Sequence, residues 1–326
     1  MSMRYAMAAA TPGGSETMRK ISLGDIVPGA GEVLIRHDAI GINFLDIYIR
    51  NGLYPWPVEK DHVLGSEAAG IIESVGDGVT GLVVGDRVGY TLANGAYATH
   101  RVIDAAYVVK LPDDVSCELA AAIMLKGLTV SYLIHDSYEV KAGQTVLFHA
   151  AAGGVGLIAG QWLKAQGATV IGTAGGAEKC ALAKANGFDY VIDYKSSDFE
   201  AEVMELTSGR GVDVTYDSVG KDTMAQSLAS TRRHGTIIAF GQSSGPYLDF
   251  KISDLAKGSF KLSRPTLFHF VGERDWLETN SEKLFTVVRN GTVNISINQK
   301  FNLEEVAKAH DALSGRVTTG STILTV

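Results

Sequence analysis

The stretch that decides the fold is VLFHAAAGGVGL at residues 146–157, where a short apolar run leads through small residues into a helical pattern. Within it, Ala151, Gly153 and Gly156 form the spacing A-x-G-x-x-G. Ala151 allows a tight turn, Gly153 lets backbone N–H groups approach a pyrophosphate, and Gly156 permits close packing of a helix on a strand. The helix N-terminus then faces the anion. The spacing therefore predicts a dinucleotide-binding loop, and the alternative is a tight turn with only a structural role.

Beyond this loop the chain alternates between helix and strand patterns. The helical patterns cover residues 157–166 and 178–186, and Gly187 follows the second of them as a helix-ending glycine. The β-branched and apolar runs that predict strands lie at 146–149, 168–173, 190–193, 212–217 and 236–241. Strands that alternate with helices predict a parallel sheet with helices on both faces.

The two ends of the chain have a different pattern. Short β-branched runs bounded by turn residues, at 32–36, 69–76 and 85–90, predict a barrel-like β domain. Ser116 is the predicted N-cap of a helix that leads into the second domain. Near the C-terminus, helical patterns at 274–289 and 303–313 precede a strand at 321–326. We expect this last strand to return to the first domain.

Composition excludes several classes of protein. The chain has 326 residues, 46% of them hydrophobic, which predicts about two globular domains. The formal net charge of -7 argues against nucleic acid as the main partner, because phosphate binding needs a basic surface. The only two cysteines, Cys117 and Cys180, are far apart, which excludes a disulfide scaffold and a zinc site built mainly from thiolates.

Neither a membrane span nor a signal peptide is predicted. The uncharged run at 142–163 nominally reaches the length of a membrane span, but Gln144, His149 and Gln161 interrupt it. We interpret this run as a strand, a loop and a helix. The N-terminal stretch is a poor signal-peptide core because it breaks at residues 11–14. A cytoplasmic protein without a membrane partner is therefore expected.

The end of the second strand after the cofactor loop indicates which dinucleotide binds. A site for NAD usually has an acidic residue there, which accepts hydrogen bonds from the ribose hydroxyls. Residues 173–176 contain no carboxylate, whereas Lys179 adds positive charge and Tyr194 a hydroxyl donor. These features favour NADPH over NADH. The alternative for Lys179 is a solvated residue in the first turn of the next helix.

A longer pattern around the loop resembles a known family. The pattern G-Q-x-x-L-x-x-x-A-A-G-G-x-G-x-x-x-x-Q-x-x-K at residues 143–164 is similar to the signature of quinone oxidoreductases and zeta-crystallins, within the medium-chain dehydrogenase/reductase superfamily. Further runs similar to the family lie at 41–55, 65–70, 126–129 and 216–220. The resemblance covers most of the chain.

The resemblance implies an α/β fold made of two domains. A GroES-like β-barrel catalytic domain would contain residues 1–125, and residues 265–326 would return to it. A Rossmann domain with a doubly wound parallel sheet, residues 126–264, would bind NADPH. The resemblance also implies a homodimer, formed through edge strands around 236–262.

The resemblance further implies where each site residue lies. Asn43 and Tyr48 would lie near the nicotinamide, and Lys126 and Thr129 near the nicotinamide end and its ribose. Thr173 is counted among the cofactor-binding residues, at the end of the second strand. The other predicted cofactor-binding residues are Gly153, Gly154, Val155 and Gly156 at the pyrophosphate, Lys179, Tyr194 and Arg316 at the 2′-phosphate, Ser218, Phe240, Gly241 and Ser243 along the path from adenosine to nicotinamide, and Phe268 over the nicotinamide pocket.

Two substitutions relative to zinc enzymes of the same superfamily predict a reaction without metal. Zinc alcohol dehydrogenases place a Cys three residues before an Asp and a His before a Glu. Here Asn43 precedes Asp46, and Ser66 precedes Glu67. Alcohol oxidation uses zinc to stabilise an alkoxide. A quinone is already electron-poor, so hydrogen-bond donation and proton delivery suffice for its reduction.

The catalytic roles stay open between alternatives. Tyr48 is the candidate proton donor, or a tyrosine packed in a helix. Asn43 is a positioning group. Lys126 supplies electrostatic stabilisation, or is a solvated cation at a helix end. For Asp46 and Glu67 we favour a charged hydrogen-bond network that supports the site over general-base catalysis.

Three functions follow from this sequence. The first is NADPH-dependent reduction of quinones by hydride transfer without zinc. The second is an NADPH-dependent reductase of enone or alkenal double bonds, which would yield a saturated product. The third is a nucleotide-bound crystallin-like or RNA-binding protein, which the net charge makes less attractive.

Overall fold

The chain folds into two compact units in the computed structural model, which describes residues 4–326. The first unit comprises the chain up to Leu128, together with Phe268–Arg289 and Ile295–Val326. The second unit comprises Thr129–Leu267 and the short return Asn290–Asn294. The boundaries expected from the sequence, 125/126 and 264/265, lie three residues before these, and that short return was not foreseen.

The described residues contain sixteen strands and nine α-helices. The strands are β1 Tyr5–Ala9, β2 Met18–Ser22, β3 Glu32–Gly41, β4 His62–Val63, β5 Glu67–Val75, β6 Arg87–Thr91, β7 His100–Asp104, β8 Val108–Lys110, β9 Thr145–Phe148, β10 Thr169–Ala174, β11 Tyr190–Asp193, β12 Val212–Asp217, β13 Thr231–Ala239, β14 Lys261–Ser263, β15 Ile297–Asn302 and β16 Ser321–Thr325. The helices are α1 Phe44–Arg50, α2 Cys117–Ser131, α3 Gly154–Ala165, α4 Ala177–Ala185, α5 Phe199–Leu206, α6 Met224–Ser230, α7 Leu267–Val271, α8 Arg274–Arg289 and α9 Val306–Ser314.

The first unit is built on a seven-stranded sheet. Its strands run in the order β15-β16-β3-β5-β6-β8, and β7 pairs with β3. A smaller sheet has the order β2-β1-β4. The last strand, β16, pairs antiparallel with β3, with Ile323 opposite Gly41. The prediction that the C-terminal strand returns to the first domain is therefore confirmed.

The second unit is built on a six-stranded sheet in which every pair is parallel. The strand order is β11-β10-β9-β12-β13-β14. The chain builds outward from β9 in one direction through β10 and β11 and in the other through β12, β13 and β14, so the order reverses at β9. Ligands of open parallel sheets bind outside the carboxyl ends of the strands at such a reversal point. This arrangement confirms the predicted parallel-sheet domain.

Several local predictions are also confirmed. The run at 142–163 contains β9, the glycine loop and α3. Ser116 caps α2, because its hydroxyl accepts from the amide of Leu119 over 3.2 Å. Gly187 follows α4 with a φ of 94°. The stretch Cys117–Ser137 is long and apolar enough to cross a membrane, but 89% of its most apolar window is buried inside the protein, as in a core helix.

One predicted helix begins later than expected. The pattern at 303–313 predicts a helix from Leu303, but residues Leu303–Glu305 form a 3-10 turn and α9 begins at Val306. The side chain of Glu305 accepts from the amide of Asn302 over 3.3 Å, so the capping contact lies on this turn, ahead of α9.

Candidate active site

The glycine loop joins β9 to α3. Gly153 is the N-cap of α3, and its amide donates to the carbonyl of Ala150 over 2.9 Å. A Cβ on Gly156 would lie 2.4 Å from the carbonyl oxygen of Ala150 and 2.6 Å from that of Ala151, so only glycine fits. The first amides of a helix have no acceptor within the helix. The loop therefore presents backbone donors next to a backbone surface that an anionic group can approach closely.

The loop after β10 brings together residues predicted for the 2′-phosphate. A Cβ on Gly175 would lie 2.5 Å from the hydroxyl oxygen of Tyr194, so this tyrosine lies against the loop. Gly176, with a φ of 98°, is the N-cap of α4. Lys179 is half-buried in the first turn of that helix. Tyr194 and Lys179 therefore flank one loop at the carboxyl edge of the sheet.

A carboxylate near this loop was missed by the sequence analysis. Oδ1 of Asp193, at the end of β11, accepts from the amide of Gly176 over 2.9 Å and from that of Lys195 over 3.0 Å. These two amide donors hold the pKa of Asp193 below its ordinary value. The pairing of β10 with β11 brings Asp193 opposite Ala174, a contact that neither strand shows by itself.

The loops after β12 and β13 lie side by side. The amide of Ser243 donates to the carbonyl of Ser218 over 3.1 Å. A Cβ on Gly241 would lie 2.7 Å from the same carbonyl oxygen. The amide of Phe240 donates to the carbonyl of Asp217 over 2.9 Å. Four predicted cofactor-binding residues are thus held together by backbone contacts.

The hydroxyl of Thr173 is turned into the protein. Thr173 is 2% exposed, and its Oγ1 lies 2.8 Å from Nδ1 of His149. Its place at the end of β10 agrees with the sequence analysis, whereas its partner was not foreseen.

In the first unit, two of the predicted catalytic residues bind the same buried carboxylate. Oε1 of Glu67 accepts from Nδ2 of Asn43 over 2.9 Å and pairs with the ammonium of Lys126. Oε2 of Glu67 accepts from the amide of Leu125 over 2.7 Å. Glu67 is completely buried, and the Lys126 side chain is 6% exposed. Lys126 is therefore a fixed cation and not a solvated helix-end residue.

A glycine makes room for this carboxylate. A Cβ on Gly41 would lie 2.2 Å from Oε1 of Glu67 and 2.3 Å from the carbonyl oxygen of Ala121. Any larger residue at the end of β3 would push the carboxylate away from its partners.

A second buried carboxylate lies at the start of α1. Oδ1 of Asp46 accepts from the hydroxyl of Ser66 over 2.7 Å, and Oδ2 accepts from the hydroxyl of Tyr97 over 2.8 Å and from the amide of Asn43 over 2.9 Å. Complete burial raises the pKa of Asp46 to about 6, although these donors oppose the rise. The expected charged network around Asp46 and Glu67 is present, and it fixes both Asn43 and Ser66.

The network continues beyond Tyr97 in one direction. The Tyr97 hydroxyl lies 2.8 Å from Nε2 of His310, and Nη1 of Arg50 lies 3.1 Å from Nδ1 of the same ring. Arginine only donates, so Nδ1 accepts and the Nε2–H group donates to Tyr97, which donates to Asp46. Burial lowers the pKa of His310 to about 3, so the ring is neutral at physiological pH. Arg50 thus supports the Asp46 carboxylate through two neutral groups.

Tyr48 lies among other aromatic rings on α1 and after it. Its ring centroid is 6.2 Å from that of Phe44 and 6.0 Å from that of Tyr54, which meets it nearly edge-on. The side chain is half-buried. These contacts fix the plane of the ring.

Five predicted residues remain. Gly154 and Val155 are the first two residues of α3, directly after Gly153. The other three lie in different places. Thr129 is buried in α2 at the start of the second unit. Phe268 is half-buried in α7, and Arg316 is exposed after α9 with a φ of 57°; both belong to the first unit. In residues 4–326 no group of three or more His, Cys, Asp or Glu side chains is placed to hold a metal ion.

Comparison with known proteins gives matches over both units. Residues 29–113 match the family model described as alcohol dehydrogenase GroES-like domain, and residues 154–281 match the one described as zinc-binding dehydrogenase. The GroES-like assignment of the first unit is thereby confirmed.

Individual relatives match nearly the whole chain. A quinone oxidoreductase of Pseudomonas aeruginosa is 45% identical over 314 residues, with 96% of each chain covered. A 2-haloacrylate reductase of Burkholderia sp is 43% identical over 305 residues, with 91% of each chain covered. The crystal structure of Escherichia coli quinone oxidoreductase complexed with NADPH has a TM-score of 0.96 and 41% identity, covering 99% of this chain and 100% of that one.

Proposed function

The chain belongs to the quinone oxidoreductase family of the medium-chain dehydrogenase/reductase superfamily, and from this premise we propose that it is an oxidoreductase that uses NADPH to reduce quinones without zinc. The observation that carries the proposal is its likeness, over 99% of the chain, to a quinone oxidoreductase whose structure contains NADPH.

The carboxyl edge of the parallel sheet fits such a dinucleotide. The backbone donors of the glycine loop suit a pyrophosphate, and the space left by Gly156 lets it approach. Lys179 and Tyr194 supply a cation and a hydroxyl for a 2′-phosphate. Asp193, the carboxylate of this edge, already accepts two backbone amides through Oδ1. When bound, NADPH supplies the hydride.

The residues do not fit a catalytic zinc ion. Structural and catalytic zinc sites use thiolate, imidazole and carboxylate ligands. The amide of Asn43 and the hydroxyl of Ser66 are poor substitutes, and Oε1 of Glu67 is already paired with an ammonium group. We assign to Lys126 the positive charge that stabilises negative charge on the reduced quinone oxygen. The ion pair between Lys126 and Glu67 supports this assignment, because it holds the ammonium group in a fixed position.

Hydride transfer to a quinone gives a hydroquinone anion. This anion must accept one proton before the hydroquinone leaves. We assign this proton to the phenol of Tyr48, whose ring is held by Phe44 and Tyr54. Asn43, fixed by Glu67 and by the Asp46 network, positions the reactants.

A second function, reduction of an activated carbon–carbon double bond, is favoured by the 43% identity to a 2-haloacrylate reductase. Both reactions need a hydride, a proton and stabilisation of an oxyanion next to a conjugated system. Product analysis distinguishes them, because a double-bond reductase yields a saturated carbonyl compound.

Steady-state oxidation of NADPH under anaerobic conditions tests the proposed function, with 1,4-benzoquinone and an enone panel as acceptors. We expect one hydroquinone for each NADPH oxidised. The absence of turnover with every quinone, with turnover of an enone, would assign the second function instead.

We also propose a homodimer formed through β14. This strand is the last of its sheet and pairs with β13 on one side in the part of the chain that the structure describes. Leu248 and Ile252, which precede it, are 84% and 82% exposed. An open strand edge beside exposed apolar side chains supports pairing with a second copy. Light scattering tests this proposal, with Leu248→Lys expected to give a monomer.

A cytoplasmic location is the remaining proposal. Cys117 and Cys180 are both free thiols, which is typical of reducing compartments. Cell fractionation tests it.

A further inference from the structure

A completely buried histidine connects three elements of the second unit. His149 directly follows β9, and its Nδ1 lies 2.8 Å from Oγ1 of Thr173 at the end of β10. Its Nε2 lies 2.9 Å from Oγ of Ser227 on α6. The ring of Phe199 packs edge-on against it at 5.0 Å. None of these contacts is used in the reaction proposed above.

The contacts lead to a buried carboxylate. Oδ2 of Asp217, the last residue of β12, accepts from the hydroxyl of Ser227 over 2.7 Å. Its Oδ1 accepts from the amides of Val219 and Gly220 over 2.8 and 2.9 Å, and the Thr223 hydroxyl lies within 2.9 Å of both oxygens. A completely buried carboxylate needs such donors. Asp217 thereby organises the loop that carries Ser218.

The carboxylate sets the direction of every hydrogen bond in the chain. It only accepts, so the Ser227 hydroxyl donates to Asp217 and its oxygen accepts from the Nε2–H group of His149. Nδ1 is then unprotonated and accepts from the Thr173 hydroxyl. Burial lowers the pKa of His149, although nearby Asp217 opposes this, so the ring is neutral. Thr173 therefore donates to His149, His149 donates to Ser227, and Ser227 donates to Asp217.

The three residue types also occur in hydrolases, but this arrangement differs from a catalytic triad. In a triad the carboxylate orients the imidazole, and the imidazole accepts the serine proton. Here the serine donates to the carboxylate, and His149, Ser227 and Asp217 are all completely buried. The arrangement holds structure together and has no accessible nucleophile.

We propose that the His149–Ser227–Asp217 chain is a positioning device for the dinucleotide, which it serves by holding the loops after β9, β10 and β12 in one geometry. The inference rests on the proposed function, because these loops carry the predicted cofactor-binding residues. The three residues act through the backbone that they hold and touch no cofactor themselves. β9 lies between β10 and β12, so His149 stands where the strand order reverses.

Asp217→Asn tests the direction of the hydrogen bonds. The amide of Asn can accept from the loop amides with its oxygen and donate to Ser227 with its nitrogen. Ser227 then donates to Nε2 of His149, and the ring changes from the Nε2–H to the Nδ1–H tautomer. ¹⁵N NMR of histidine-labelled protein without ligand reads the tautomer, with His149→Gln identifying the signal.

The same variant tests positioning. If the loops are no longer held together, NADPH must order them when it binds. We therefore expect NADPH to bind about tenfold more weakly, the size of effect seen when residues that orient a binding site without touching the ligand are replaced. Fluorescence titration measures the dissociation constant. At saturating NADPH, kcat should change much less than this constant. Ser227→Ala removes the link between His149 and Asp217 and should weaken NADPH binding to the same extent, so its affinity replaces that of Asp217→Asn if that variant does not fold. Its ring should keep the Nε2–H tautomer, because Nε2 still faces Oδ2 of Asp217 at 4.0 Å.

Thr215→Val is the matched control. Thr215 lies two residues before Asp217 on the same strand and is completely buried. Its hydroxyl shares a 2.8 Å hydrogen bond with that of Thr231. It should lower the melting temperature and leave the tautomer and the affinity unchanged. An unchanged tautomer in folded Asp217→Asn, or an NADPH affinity of Asp217→Asn or Ser227→Ala equal to that of Thr215→Val, would overturn the inference. Wild-type protein that fails to bind NADPH would instead overturn the proposed function.

Discussion

Asn43 and Lys126 bind the same oxygen atom, Oε1 of Glu67. One residue is the N-cap of α1 and the other lies within α2, and both are buried. In a site without thiolate and imidazole ligands, this carboxylate holds an amide and a cation in fixed positions.

Removal of the cation should impair the reaction. Lys126→Met keeps most of the side chain's length but removes its charge, and it leaves Glu67 without an ion-pair partner. We expect kcat/KM for 1,4-benzoquinone to fall by about 100-fold, in the range found when one electrostatic stabiliser is removed. Circular dichroism must show that the variant is folded. Lys164→Met, at an exposed ion pair with Asp189, should change activity less than twofold as the control. A loss below threefold in Lys126→Met would remove Lys126 from the mechanism.

The phenol of Tyr48 is tested without disturbing its ring. Tyr48→Phe keeps the aromatic contacts with Phe44 and Tyr54, so a loss of kcat reports on the hydroxyl. We expect a decrease of about 100-fold and a changed solvent isotope effect, as for loss of a general acid. Tyr107→Phe, at a half-buried position, is the control. Wild-type kcat in Tyr48→Phe would identify Tyr48 as a packing residue.

Asp46 should make stability depend on pH. Its pKa is raised to about 6 from an ordinary value of 3.8, so between these values the folded state binds more protons than the unfolded state. The free energy of unfolding contributed by Asp46 is therefore greatest below pH 3.8, falls as the pH rises, and is lost above about 6. The change amounts to about 3 kcal/mol, at 1.36 kcal/mol per pKa unit.

Urea unfolding of the wild type and Asp46→Asn at several pH values measures this contribution, because the difference between the two cancels the other titrating groups. The stability of the wild type relative to the variant should decrease from pH 4 to pH 7. A relative stability that stays constant or increases over this range would show that Asp46 titrates normally.

Preference for NADPH should depend on two cations. The double variant Lys179→Ala, Arg316→Ala should lower the ratio of kcat/KM for NADPH to that for NADH by at least about 100-fold, because each charged hydrogen bond to a phosphate contributes about 1.5–3 kcal/mol and the two together about 3–6 kcal/mol. Lys184→Ala, exposed on the same helix as Lys179, is the control. An unchanged ratio would refute the 2′-phosphate assignment of both residues.

The parts of the fold that the sequence predicted are those fixed by local constraints. The glycine loop is one, because Gly156 must pack against the carbonyls of Ala150 and Ala151 whatever surrounds it. The alternation of strands and helices is another, since burial on both faces produces continuous apolar strands. Ser116 and Gly187 similarly mark helix ends through their own backbone geometry.

The buried polar networks could not be predicted in this way. Tyr97 and His310 are 213 residues apart and meet because β16 returns to the first sheet and brings α9 with it. His149 and Ser227 are likewise joined only by the packing of α6 on the sheet. Neither pair has a recognisable spacing, and each polar residue alone is compatible with an exposed position.

The central claim is the proposed reduction of quinones with NADPH and without zinc. The most direct measurement is anaerobic NADPH oxidation with 1,4-benzoquinone by protein dialysed against a strong chelator, with its metal content determined. Full activity without zinc and one hydroquinone for each NADPH oxidised are the predicted results. Loss of activity on dialysis, restored by adding zinc, would contradict the account.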